Sequence, residues 1–92
     1  LNALKLNSTR EYIKHRLHVA GGDPDLFNEE AINTVFEYSG GIPRLINILC
    51  ENTLFSAFLM KTKNITSQLV LEVAEDFGLM PAEKVMAEES EE

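Results

Sequence analysis

Between residues 39 and 47 the chain reads Ser39-Gly40-Gly41-Ile42-Pro43-Arg44-Leu45-Ile46-Asn47, and this stretch constrains the fold more than any other. A glycine pair stops a helix, because glycine reaches left-handed backbone without steric cost and loses the most entropy inside a helix. A proline two residues later suits the opening of the next helix, where its missing N–H would have had no partner. The implied unit is helix, tight turn, helix, with Arg44 in the first turn of the second helix. A cation gains nothing from the helix dipole at that end. Glycines beside it would let a phosphate or a ligand backbone come close, so the arrangement suits an anion contact. The plainer alternative is a solvated arginine, or one paired with Glu37 or Glu51.

The same punctuation divides the rest of the chain into helices. The first is expected to open at Asn7 or Ser8, where Ser8 and Glu11 have capping-box spacing, and to end at Gly21-Gly22. Its apolar stripe is Tyr12, Ile13, Leu17 and Ala20, with Arg10, Lys14 and His18 on the wet side. The second follows Asp23-Pro24-Asp25, with Asn28 as its cap and Glu29 and Glu30 complementing the dipole. It runs through Ala31, Ile32, Val35 and Phe36 to Gly40. The third starts at Pro43 and is apolar on nearly every side from Leu45 to Met60, which predicts a central, buried helix. Lys61-Thr62-Lys63-Asn64 ends it. The fourth starts at Thr66, buries Leu69, Val70, Val73, Ala74 and Phe77, and stops at Gly78. No stretch reads as a strand. The expected fold is all-α: a small four-helix bundle over 8–78, a short extended segment over 1–7, and a mobile acidic tail over 79–92.

Ninety-two residues make one domain near the lower limit for an independent core. The charge is divided. Residues 1–20 carry four bases against Glu11, whereas residues 21–40 carry five acids and no base. The two regions could pair internally or face different partners. A net charge of −7 and a single short basic helix argue against a DNA-binding domain built on Arg10, Lys14 and Arg16. The lone cysteine, Cys50, excludes an internal disulfide and a cysteine-cluster zinc site, and suits a reducing, cytoplasmic setting. No apolar run approaches the length of a membrane span. The first residue is not methionine, so a piece of a longer protein is expected.

No catalytic constellation emerges. His15 and His18 lie three apart on the basic helix without a third ligand at a plausible spacing. Glu29-Glu30 is accounted for by the helix dipole, and Ser39 lacks the strand–turn–helix setting of a nucleophile elbow. No phosphate-binding loop of the form G-x-x-x-x-G-K-[ST] occurs.

The order of motifs resembles the helical lid domain of AAA+ ATPases, and more narrowly that of the general secretion pathway protein A type. The resemblance covers roughly residues 1–79. It rests on Glu11 to Leu17, the Ala20-Gly21 stop, Phe27 with Ala31, the block from Ser39 to Cys50, and Ile65 followed by Val73 to Phe77. It implies that Arg44 is a sensor 2 arginine reaching the γ-phosphate of ATP, with Gly41, Ile42 and Pro43 shaping the turn beside the nucleotide. ATP and Mg would be held by an N-terminal ATPase core, to which 1–7 is the linker. No cofactor is expected on this chain alone. The implied partners are that core, neighbouring subunits of a homo-oligomeric ring and secretion-system components, at the cytoplasmic side and the inner face of a bacterial membrane. Nucleic acid is not expected. An independent helical protein-interaction module is the competing reading.

The isolated chain is expected to release no phosphate from ATP, because no loop or acidic cluster in it can hold a metal–triphosphate. A phosphate-release assay on the pure chain checks this, and turnover abolished by a substitution within the chain would contradict it.

Overall fold

The structure, a computed structural model, describes residues 3–81. It contains four helices: α1 (Leu6–Val19), α2 (Glu29–Ser39), α3 (Pro43–Met60) and α4 (Ser67–Asp76). Helix α4 packs against both α2 and α3, and α1 lies across α2 with a lighter contact to α3. The core is one cluster in which Ala31, Ile32, Val35, Leu49, Ile65, Val70 and Ala74 are wholly buried. Among the described residues there is no strand, only an isolated pairing of Phe27 with Ile65. There the Ile65 N–H donates to the Leu26 carbonyl at 3.0 Å and the Asn28 N–H donates to the Ile65 carbonyl at 3.2 Å. This ties the α3–α4 connection to the start of α2 and seats both apolar side chains in the core. No described helix is long and apolar enough to cross a membrane.

The turn and cap signals locate three of the helix starts. Asn28 caps α2, its Oδ1 accepting the Ala31 N–H at 2.8 Å, and Glu29 and Glu30 fill the first turn. Pro43 opens α3, and Thr66 is the residue before α4. Gly40, at φ +63°, ends α2 in the left-handed conformation. The α1 start is different. The helix begins at Leu6, ahead of the expected Asn7 or Ser8, and Ser8 lies inside it without a capping role. Residue 5 supplies the extended cap, with no side-chain bond to the helix.

Three burial expectations are overturned. Helix α3 is not enclosed on all sides: it buries only the line Ile46, Leu49, Thr53 and Ala57, and leaves Phe55, Phe58, Leu59 and Met60 exposed. The bundle covers one face of α3, and no fifth element reaches the other among the described residues. Phe77 is likewise exposed rather than buried, because α4 ends at Asp76 and the chain turns at Gly78. On α1, Ala20 is exposed and the small polar Thr9 takes a wholly buried place beside Ile13 and Leu17. Of the expected tail, Leu79 is half-buried and returns its N–H to the Ala74 carbonyl at 2.9 Å; residues 82–92 lie outside the described residues.

The divided charge is partly satisfied within the fold. Arg10 pairs with Glu29 at 3.0 Å, Lys14 with Asp25 at 3.4 Å and Arg16 with Glu51 at 3.5 Å. These partly or largely exposed pairs contribute little stability; the first two set α1 against the acidic region that follows it, and the third links α1 to α3.

The turn between α2 and α3 is held from the other end of the chain. Gly41 is buried at φ +79°, and its carbonyl accepts the Leu4 N–H at 2.7 Å. A Cβ at this position would lie 1.9 Å from the Leu4 carbonyl oxygen. Gly21 has a similar φ of +82° but open space where its Cβ would be. Gly21→Ala should therefore cost about 1 kcal/mol from backbone strain alone. Gly41→Ala should cost at least about 2 kcal/mol more, because strained backbone and steric overlap add and the N-terminal segment must detach. Urea unfolding of the two variants side by side measures the difference; equal losses would mean that Leu4 does not hold this turn.

Candidate functional site

The candidate residues Gly41, Ile42, Pro43 and Arg44 occupy one turn, but they are not equally available. Ser39 is buried and its Oγ accepts the Gly41 N–H at 3.1 Å, while its carbonyl accepts the Ile42 N–H at 3.1 Å. Serine here builds the turn. Gly41 has its open side against Leu4, so the residue is occupied by the chain's own backbone. Pro43 is half-buried, Ile42 is exposed on the outer side of the turn, and Arg44 is exposed at the second position of α3.

Electrostatically this end of α3 is open to an anion. The first bond into the helix runs from the Ile46 N–H to the Ile42 carbonyl at 2.9 Å. The amides of Arg44 and Leu45 precede it and have no intrahelical acceptor, and proline has no N–H to offer. The cap residue, Ile42, supplies no side-chain oxygen, and the first turn has no acidic residue. Arg44 makes no ion pair or side-chain hydrogen bond among the described residues, and Glu51, one of the two carboxylates considered as its partner, is engaged by Arg16. A guanidinium, two free amides and the positive helix pole thus share one exposed corner, where anionic oxygens gain from all three. Nothing in this corner supplies a nucleophile, a base or a metal site. Among the described residues no group of three or more His, Cys, Asp or Glu side chains could hold a metal ion. His15 and His18 are exposed on α1 without further ligands.

A second concavity, not anticipated from the sequence, lies between α1 and α3. It has a volume of about 210 Å³, and Ile13, Leu17, Phe27, Ile46, Cys50 and Leu54 give it an apolar lining. Two polar links mark its borders: the Tyr12 hydroxyl donates to Asn47 Oδ1 at 3.0 Å, and Arg16 pairs with Glu51. The Arg16 guanidinium also lies 5.9 Å from the centre of the Tyr12 ring. The light contact between α1 and α3 is what leaves this space, and only long-range packing decides it.

Comparison with known proteins gives a partial similarity. Over 47 residues, 51% of this chain, the sequence is 47% identical to General secretion pathway protein A of Aeromonas hydrophila. The match covers 9% of that protein, so the chain spans a small part of the relative's length. No family model matches. No solved structure matches either. About half of the chain is thus similar to part of a secretion-pathway protein.

Cys50 gives the inner wall a testable property. Burial pushes its thiol up from 9.0 to about 12; nearby Arg16 opposes this shift and Glu51 adds to it. The thiol is therefore neutral and a poor nucleophile in the folded chain. With the folded value raised above the unfolded one, its contribution to stability is complete below pH 9 and is lost as pH rises from about 9 to about 12. Iodoacetamide at pH 8 should modify native Cys50 at least about tenfold more slowly than the urea-unfolded chain. Equal rates, read by mass spectrometry, would mean that burial does not hold the thiol protonated.

Proposed function

We propose that this chain is the lid part of an AAA+ ATPase of the General secretion pathway protein A kind, and that Arg44 is its nucleotide-sensing residue. The observation that carries the reading is the Arg44 guanidinium, without a partner among the described residues, beside the open N-terminus of α3. Two supports stand beside it: the Gly-Gly-Ile-Pro-Arg block and the identity with the secretion-pathway relative over half the chain. An ATPase core preceding the lid would hold ATP and Mg. Arg44 would then add two planar N–H donors to the γ-phosphate, a geometry that lysine cannot reproduce.

In this reading the lid is a switch. A ligand moves a two-state equilibrium only through unequal affinity for the two states. Arg44 supplies the inequality, because its contact exists in the closed state with the γ-phosphate present and disappears when that group leaves. Gly41 and Pro43 act indirectly. The first lets Leu4 lock the turn and the second fixes where α3 begins, so both set the position of the guanidinium. Ile42 is exposed on the same turn and would face the nucleotide or the core. Action in a secretion system, within a ring of like subunits at the cytoplasmic face of a membrane, follows from the same relationship and belongs to the proposal.

Arg44→Ala separates folding from function. The side chain is exposed and has no partner among the described residues, so the chain's stability should change by less than about 1 kcal/mol. In the full-length protein ATP turnover should fall by about 10²-fold or more, the scale of losing one preorganised contact to developing charge. Arg44→Lys should recover little of it. Turnover unchanged in a folded full-length variant would withdraw the sensor role.

A further inference from the structure

We infer that the C-terminal half of α3, together with the cavity beside α1, is a docking face for an acidic amphipathic helix of a partner protein, which inserts one bulky apolar side chain into the cavity. This inference does not depend on the role of Arg44, which lies at the opposite end of the same helix.

The face follows from helical spacing. Residues four apart form rows, so Cys50, Leu54 and Phe58 make one row and Glu51, Phe55 and Leu59 the next. Cys50 and Leu54 line the cavity. One turn further on the same rows leave the bundle, with Phe58 79% exposed and Phe55 and Leu59 each 63%, and the neighbouring Met60 is 65% exposed. Four large apolar side chains exposed within six residues form a patch, unlike a scattered surface residue. The cavity is the part a partner would grip. At about 210 Å³ it exceeds the 150 Å³ or so of an apolar cavity that accepts benzene, which is room for one leucine or phenylalanine side chain. Exposed Ala20 lines it, so it reaches the surface beside the end of α1. A filled pocket bordered by flat apolar contacts is the usual anatomy of a binding hot spot.

Charge identifies the occupant. Glu51 is the only acid in the two rows, and Arg16 neutralises it. Lys61 and Lys63 follow directly at the end of the patch, exposed and without an acidic partner among the described residues. The apolar face is therefore bordered by positive charge that no acid among the described residues compensates. A second copy laying the same face against this one would offer only its own Glu51, already engaged by Arg16. A segment with an apolar stripe and carboxylates at its margins satisfies both features.

The test uses the complete chain and two labelled synthetic helical peptides of about 16 residues, each with a leucine stripe, one carrying glutamate and the other lysine at its margins. Fluorescence anisotropy should show the glutamate peptide binding about tenfold or more tightly than the lysine peptide. Phe58→Ser and Ala20→Trp, both at exposed positions, should each weaken it about tenfold with helical circular dichroism unchanged. Lys61→Glu with Lys63→Glu should reverse the preference between peptides. Four results would overturn the inference: no binding or equal binding of the two peptides; sedimentation showing a dimer that Phe58→Ser abolishes; attachment to phosphatidylglycerol vesicles that Phe58→Ser abolishes; or peptide binding that occurs only after residues 82–92 are deleted. The last three would assign the face to a second copy, a lipid surface or the chain's own acidic end.

Discussion

The Leu4 N–H meets the Gly41 carbonyl oxygen at 2.7 Å, a backbone-to-backbone approach that closes the N-terminal segment over the turn between α2 and α3. Any side chain at position 41 would collide with it. Much of the arrangement at this end follows from that contact. It fixes the turn in which the Ser39 hydroxyl and carbonyl take the Gly41 and Ile42 amides. It thereby sets the direction in which Pro43 launches α3, and with it the corner occupied by Arg44. Positive φ and absent Cβ are both used at one residue, a combination that no other amino acid supplies. Gly41, which the resemblance implies shapes the turn beside a nucleotide, also holds the beginning of the described chain in place.

How much was legible in the sequence depends on the range of the interaction concerned. Local chemistry was read correctly where it decides the outcome. Asn28 caps α2 because its side chain reaches an amide three residues on, and Pro43 opens α3 because of its own ring. The α1 start failed for the complementary reason. Ser8 and Glu11 have the spacing of a capping box, yet Leu6 joins the helix ahead of them and is packed against the core cluster. Packing outweighed a cap worth about 1 kcal/mol. Thr9 and Thr53 make the same point: both are wholly buried without a hydrogen-bond partner for their hydroxyl, and no periodicity argument identifies such positions.

Burial on α3 was misread because composition reports what a helix can bury, not what is available to cover it. An all-round apolar helix implies neighbours on every side. Here α1, α2 and α4 supply one face, and Phe55, Phe58, Leu59 and Met60 stay exposed. For the candidate site, the type and place of Arg44 were legible, as was its lack of a reason to favour a helix N-terminus. The cavity was not. Tyr12, Arg16, Asn47 and Glu51 lie up to 39 positions apart in sequence, and only the crossing of α1 over α3 brings them together.

Helix α3 thus has two chemically opposite ends joined by one rigid element. Its N-terminal turn concentrates positive potential, whereas its last two turns expose phenylalanine, leucine and methionine ahead of two lysines. Eighteen residues at 1.5 Å each separate these ends by about 27 Å. An event at the Arg44 end can reach the other end only if α3 moves as a body, since a regular helix with a buried spine of Ile46, Leu49, Thr53 and Ala57 does not deform internally at small cost. Movement of the whole bundle relative to whatever holds the anion would satisfy this, and it would displace the apolar face by the same rotation. If both proposals hold, the helix would act as a lever, with charge read at one end and apolar contact made at the other.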